Sequence, residues 1–283
     1  MKSPYLLLPL FATFALTNAD ANGTVPETGS EPGPTLNATG SVYLHATNMS
    51  VDPNTGVPTL WRANLNITEF TVSPAIGVIT NSAIGIDSLG GWVENSTWDS
   101  TVIFFLNVAR NATVDGQKDS GDCYATLGEA CVRQYTLDIS AAIHAAKIST
   151  RPGSNTTSMP TIPPPPESCE YRLSSASIVI HLGSKFVDGA AYVNNRSPVH
   201  DASNTTSYQE ATTQIWPIVL VQSGKSGINN ATGISTSRMS CLRANATTEG
   251  SKAIGGVPGA AVHIKVYTWA VIGVTCLVGG LLL

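Results

Sequence analysis

Apolar residues recur at every second position through much of the first half of the chain, and the period then lengthens to three and four. Val42, Leu44 and Ala46 alternate with polar or smaller residues, and Asp52-Pro53-Asn54-Thr55-Gly56 supplies turn chemistry before a second extended run, Leu60 to Val72. Within that run Leu65 and Ile67 face one way and Asn66 and Thr68 the other, because side chains alternate along a strand. Ile76 to Ile86 is rich in Gly and Ile and reads as short strands. Thr101 to Val108 is β-branched or aromatic at both parities, which predicts a central strand buried on both faces, with Asn111 in the turn beyond it.

The three-and-four spacing of Val132, Tyr135, Ile139, Ile143 and Ala146 predicts an amphipathic helix from about Cys131 to Lys147. Ala176 to Leu182 reads as a strand, and Tyr208 to Gln214 has helical spacing that Pro217 ends or kinks. Ile218 to Val221 fits either state. The expected class is therefore α+β: a β-rich antiparallel domain with one or two helices.

Both ends of the chain read as processing signals. Lys2, the apolar stretch Tyr5 to Leu16 and Ala19-Asp20-Ala21 have the form of a secretory signal peptide, which places the mature N-terminus at Asn22. Val266 to Leu283 is apolar and uncharged with no basic residue behind it, the arrangement of a GPI-attachment signal. A C-terminal transmembrane helix is the alternative, since such a run is at the lower limit for crossing a bilayer. The organisation that follows is a signal peptide (1–21), a disordered polar leader (22–40) and a β-rich region ending in a helix (41–148). A Pro/Ser/Thr-rich linker or loop (149–168) leads to the second half of the domain (169–243), a polar, Gly-containing spacer (244–265) and the apolar tail (266–283). Attachment candidates are Gly255 and Gly256, then Gly259 at the head of a run of small residues, then Ser251.

Composition explains how such a chain stays soluble. Charged residues make up 12% of it, against about 25% in an ordinary domain. Asn22 to Gly255 carries 13 Lys and Arg against 18 Asp and Glu, a net charge of −5, with no basic patch for nucleic acid. Of 18 Asn, 11 head an Asn-x-Ser/Thr sequon, where random placement gives about four. We read Asn37, Asn48, Asn66, Asn95, Asn111, Asn155, Asn204, Asn230 and Asn245 as N-glycosylation sites. Asn22 sits at the new N-terminus, and Pro198 follows the Asn195 sequon, so neither is included.

Removal of the tail takes Cys276 with it and leaves Cys123, Cys131, Cys169 and Cys241, enough for two disulfides in an oxidising compartment. The favoured pairing is a local Cys123–Cys131 loop with a long Cys169–Cys241 closure; the alternative has one of the first pair reaching across to Cys169. Catalytic signatures are missing: there is no Gly-x-Ser-x-Gly and no His-Glu-x-x-His, and Gly224-Lys225-Ser226 lacks the first glycine of a phosphate loop. His200-Asp201 is the best candidate for acid–base chemistry. Asp115, Asp119 and Asp122 read as turn formers or a weak Ca²⁺ site, and Trp61, Trp92, Trp98 and Trp216 as a sugar-stacking platform or as core. No cofactor or metal is expected.

Asp122 to Val132, Ile215-Trp216-Pro217-Ile218 and Ser240-Cys241-Leu242-Arg243 resemble segments of a group of uncharacterised secreted, GPI-anchor-type surface glycoproteins of filamentous ascomycete fungi. The resemblance implies a fungal-type cell-surface protein and no particular activity. The expected function is that of a GPI-anchored, N-glycosylated cell-surface or cell-wall protein without enzymatic activity. Its expected partners are the membrane, through a lipid anchor or C-terminal helix, and cell-wall polysaccharide. The alternatives are a secreted carbohydrate-active enzyme or carbohydrate-binding module, and a single-pass type I membrane glycoprotein.

Overall fold

The structure, a computed structural model, describes residues 36–48, 57–73, 75–93, 98–149, 161–169, 171–182, 186–224 and 235–258. In chain order they form β1 (Leu36–Thr47), β2 (Pro58–Ser73), β3 (Gly77–Asp87), β4 (Trp98–Phe105), α1 (Arg110–Gly116), α2 (Tyr124–Leu127) and α3 (Glu129–Ser149). These are followed by β5 (Ser177–Leu182), β6 (Ala191–Arg196), α4 (Thr206–Thr213), β7 (Trp216–Gly224), β8 (Ser235–Leu242) and the short β9 (Ala246–Thr247). Both sheets are antiparallel, as the pattern predicts, and four helices are described where one or two were expected.

The alternating segments pair in sequence. β1 pairs with β2 and β2 with β3, and the first sheet has the order β6-β3-β2-β1-β9. Leu44, Trp61, Leu65, Ile67, Ile84 and Ile86 line its inner face, none more than 1% exposed, while Asn66 between them is exposed. The second sheet has the order β5-β4-β7-β8, which makes β4 an interior strand. Trp98, Val102 and Phe104 of β4, with Ile218, Leu220 and Leu242, pack on the first sheet. Ile103 and Phe105, with Val219, Val221 and Met239, pack the other way, on Leu127, Val132, Tyr135, Ile139 and Ile143 of α2 and α3. The layers are thus sheet, sheet and helix, and each large side chain so buried contributes about 1.5–3 kcal/mol. Ile218 to Val221 is strand; α4 ends at Thr213, and Pro217 sits at the start of β7, before its pairing with β4 begins.

Several expectations are corrected. β1 begins at Leu36, inside the leader expected over 22–40, because Leu36 to Gly40 find ladder partners in β2, and Ala38 and Thr39 also in β9. Backbone pairing needs no large side chains. Gly40 is required there, since a Cβ would stand 1.9 Å from the Arg243 carbonyl oxygen. Asn111 lies in the first turn of α1 rather than in a turn. Residues 149–168, read as a linker or loop, stand between paired strands of one sheet: β4 pairs with β5 and β7 from beyond them, and Tyr135 Oη donates to the Pro163 carbonyl at 2.8 Å.

The favoured disulfide pairing is also overturned. Cys123 bonds Cys241 and Cys131 bonds Cys169, with Cα atoms 4.9 and 4.5 Å apart, so it is the alternative reach to Cys169 that forms. The helical turn of α2 stands between Cys123 and Cys131, and the Cys241 N–H donates to the Gly121 carbonyl at 3.0 Å, which sets β8 beside Cys123. On a chain-entropy basis loops of 118 and 38 residues are each worth about 4–5 kcal/mol.

The spacer expected over 244–265 is docked as far as Pro258. Ala244 is buried, Tyr208 Oη donates to the Lys252 carbonyl at 2.7 Å, Lys252 Nζ pairs with Glu69 at 2.9 Å and Ile254 packs on the inter-sheet core. Burial, with the Glu69 carboxylate nearby, pushes the Tyr208 phenol above its ordinary value. Residues 1–21, read as a signal peptide, Gly259 and the tail 266–283 lie outside the described residues. Among the described residues no helix is long and apolar enough to cross a membrane.

The buried phenol of Tyr135 gives a pH signature. Burial, with a smaller contribution from Asp138, raises it from 10.0 to about 12. The folded state therefore holds this proton more tightly than the unfolded one, and the resulting stability is complete below pH 10 and lost as pH rises toward 12. Tyr135→Phe should cost about 0.5–1.5 kcal/mol at neutral pH through the lost hydrogen bond. In urea melts the gap between wild type and variant should narrow from pH 10 upward; a constant gap would show that the phenol does not titrate with folding.

Candidate functional site

Three elements meet around the start of β7. β4 leaves the second sheet into Leu106 to Ala109 and turns into α1; α4 runs back through Gln214 and Ile215 into Trp216; and the C-terminal segment returns across both to Pro258. Gln214 Nε2 donates to the Leu106 carbonyl at 3.1 Å, Gln117 Nε2 to that of Thr213 at 2.7 Å and Arg110 Nη2 to that of Pro258 at 2.5 Å. Between these struts lies a hollow of about 500 Å³, within the range of small-molecule clefts, about 300–1,000 Å³. Trp216 forms part of its wall and is 1% exposed, and its indole N–H is buried without a hydrogen-bond partner. Arg110 and Glu210 bring one charge of each sign to the lining, and Gln214 an amide. This set suits hydrogen-bonded recognition of a polar ligand. Of its two threonine hydroxyls, that of Thr113 donates to the Ala109 carbonyl at 3.2 Å and that of Thr213 to the Gln209 carbonyl at 2.6 Å.

The residues singled out in the sequence for chemistry are dispersed and structurally occupied. Trp61, Trp98 and Trp216 are core residues, at most 2% exposed, so no stacking platform forms from them. Trp92 is half-buried and packs on Trp61 and Phe186. His200 bonds the Thr80 hydroxyl through Nε2 at 3.1 Å and the Asp201 carbonyl through Nδ1, while its backbone bridges Val78. The Asp201 carboxylate turns away to accept from the Ser203 hydroxyl and N–H, both at 2.7 Å, and these bonds hold it below the usual carboxylate range. The pair is a loop clasp and not a catalytic dyad. His181 meets the Thr101 hydroxyl at 2.8 Å across the β4–β5 ladder.

The three aspartates also have separate tasks. Asp115 pairs with Arg172 at 3.1 Å, and Asp122 accepts from the Tyr124 N–H at 2.9 Å. Asp119 is buried; its Oδ1 accepts from the N–H groups of Gly121 and Cys123, and its Oδ2 from the N–H and hydroxyl of Thr126. Four donors on one carboxylate organise the loop that presents Cys123 to Cys241. Among the described residues no cluster of His, Cys, Asp and Glu could hold a metal ion.

Of the sequon residues, Asn66, Asn111, Asn204 and Asn245 are exposed, and Asn37 and Asn48 are partly so. Asn37 Oδ1 accepts from the Glu69 N–H at 3.1 Å, which leaves its amide nitrogen for a sugar. Asn95, Asn155 and Asn230 lie outside the described residues. Of the attachment candidates, Ser251 donates its N–H to the Thr248 carbonyl, and Gly255 rests on the Gln209 side chain. Arg110, Glu210 and Gln214 carried no signal in the sequence, because separate elements bring them together. The chain matches no known family, no curated protein and no solved structure.

Loss of a four-donor carboxylate should be among the costlier single changes in the molecule. Asp119→Ala leaves buried N–H groups unpaired and should destabilise the protein by about 2–4 kcal/mol, read by denaturant unfolding of the oxidised protein. A cost below about 0.5 kcal/mol, the level of an ordinary surface substitution, would mean that the loop is held by its disulfide alone.

Proposed function

We propose that the protein is a GPI-anchored, N-glycosylated component of the cell surface or cell wall, without enzymatic activity of its own. The observation that carries this reading is where the sequons fall on the fold: Asn66, Asn111, Asn204 and Asn245 come from β2, α1, the approach to α4 and the approach to β9, and all four face solvent. A sandwich held by two disulfides and short of charge gains its solubility from glycans so placed. Its partners on this reading are the outer membrane leaflet, through the lipid, and cell-wall polysaccharide.

The docked C-terminal segment orders the attachment candidates. Cleavage after Ser251 would remove Lys252, whose carbonyl receives Tyr208 and whose ammonium pairs with Glu69, together with the packed Ile254. Attachment at Gly255, Gly256 or Gly259 keeps these contacts. A GPI-specific phospholipase should release the protein from membranes, and its C-terminal peptide should end at one of these three glycines. Retention after treatment, with a peptide running to Leu283, would establish the type I membrane alternative instead.

A second reading, a carbohydrate-binding module, draws on the hollow beside Trp216, where Arg110, Glu210 and Gln214 offer polar groups to a sugar. It expects binding on a glycan array that weakens at least tenfold in Glu210→Gln, the loss of about 1.4 kcal/mol. An array with no hit would leave the protein as a wall component without this ligand.

A further inference from the structure

The outer face of the first sheet carries a groove of about 370 Å³ that runs across β1, β2 and β3. Asn64 and Asn66 of β2 project outward there, with Ser41 paired to Asn64 on one side and Gly85 on the other. Asn66 itself is paired to Thr39 and Ala83. The depression exists because β3 offers only Ala83 and Gly85 along this row. A Cβ on Gly85 would lie 2.9 Å from the Ala190 carbonyl, so the chain at Gly189 and Ala190 folds over the glycine and makes one wall. Arg62 closes one end, its Nη2 held by Asp87 at 2.7 Å. Its Nε is buried and has no hydrogen-bond partner.

Asn66 sits in mid-strand with ladder partners on both sides, so a glycan attached there leaves from within this groove. Here the first space it meets is a mostly polar groove with an amide, a hydroxyl and a guanidinium along it. Resting on the N-glycosylated reading above, we propose that this groove seats the core of the protein's own Asn66-linked glycan. The two N-acetylglucosamine residues lie along β2 toward Arg62. The Asn64 amide and Ser41 hydroxyl meet their polar edges, and Ala83 and Gly85 give their apolar faces a flat floor. A volume near the lower end of small-molecule clefts, about 300 Å³, suits such a disaccharide. Asn245, another sequon residue, stands at the rim, its N–H bonded to the Thr39 carbonyl at 2.9 Å, and its glycan leaves from the sheet edge.

The test is site-resolved deglycosylation of the native, full-length secreted protein by an endo-β-N-acetylglucosaminidase, which cuts between the two core sugars. Glycopeptide mass spectrometry follows each site with time. A seated core should be cut about tenfold more slowly at Asn66 than at Asn204, the ratio that about 1.4 kcal/mol of seating produces. Asn64→Ala and the groove-filling Ala83→Leu should each bring Asn66 toward the Asn204 rate, and Asn245→Gln should leave the lag unchanged. The proposal is overturned by equal rates in the wild type, or by a lag that survives both groove variants and so reflects strand position alone. It is also overturned by a lag that disappears with the Asn245 glycan, or by a bare Asn66 on a protein whose other sequons are occupied. A chain with no occupied sequon at all would instead overturn the glycoprotein reading itself.

Discussion

A strand that is apolar on both faces has to be covered twice, and the architecture follows from how β4 is covered. Trp98, Val102 and Phe104 need one apolar surface and Ile103 and Phe105 another. The first sheet meets the one demand and the helical layer of α2 and α3 the other. A sheet is a broad, self-paired cover that its own ladder keeps in place. The helical cover has no ladder, and it is there that both disulfides sit, Cys123–Cys241 at the head of α2 and Cys131–Cys169 at the head of α3. The buried Asp119 carboxylate and the Tyr135 bond to Pro163 serve the same layer. Polar contacts also join the two sheets: Gln222, buried among the core residues, accepts from the Thr47 N–H and donates to the Ser100 hydroxyl, the Thr47 and Thr236 hydroxyls meet at 3.1 Å, and the Ser240 hydroxyl donates to the Tyr43 carbonyl.

Covering β4 in this way leaves the outer face of the first sheet to solvent. That face is the polar parity of β1, β2 and β3, and it carries little charge apart from the Arg62–Asp87 pair at its end. Asn66 lies on this face and Asn245 at its edge, so attached sugars would supply there the hydration that charged side chains supply elsewhere. The hollow at Trp216 lies at a different place, where the chain ends of several elements meet, and it is closed by the same C-terminal segment that bears the attachment candidates. On the proposed reading, anchoring and the shape of that hollow are therefore mechanically connected.

Much of the layer structure was legible in the residues. The alternation of Leu65 and Ile67 with Asn66, the two-faced apolarity of β4 and the spacing from Val132 to Ala146 each state a local demand that holds whatever the neighbours are. β6 and β8 were missed, since Ala191 to Arg196 and Ser235 to Leu242 are mostly polar or small and are strands only because β3 and β7 lend them a ladder. α1 was missed because it buries only Ala112 and Gly116, too little for an apolar stripe. The disulfide partners and the Trp216 hollow join residues of widely separated elements, and no local pattern encodes such distances.

By itself the sequence determined which faces of which segments must be buried, which asparagines head a sequon and how few cysteines there are to pair. These follow from side-chain chemistry and backbone period, properties of a residue and its near neighbours. Only the tertiary structure decided that Cys123 reaches Cys241, that Trp61, Trp98 and Trp216 are core, that His200 and Asp201 clasp a loop, and that the supposed spacer is packed to Pro258. Each of these depends on which surfaces of two remote segments are brought into contact, and that is settled by the packing of the whole chain around β4.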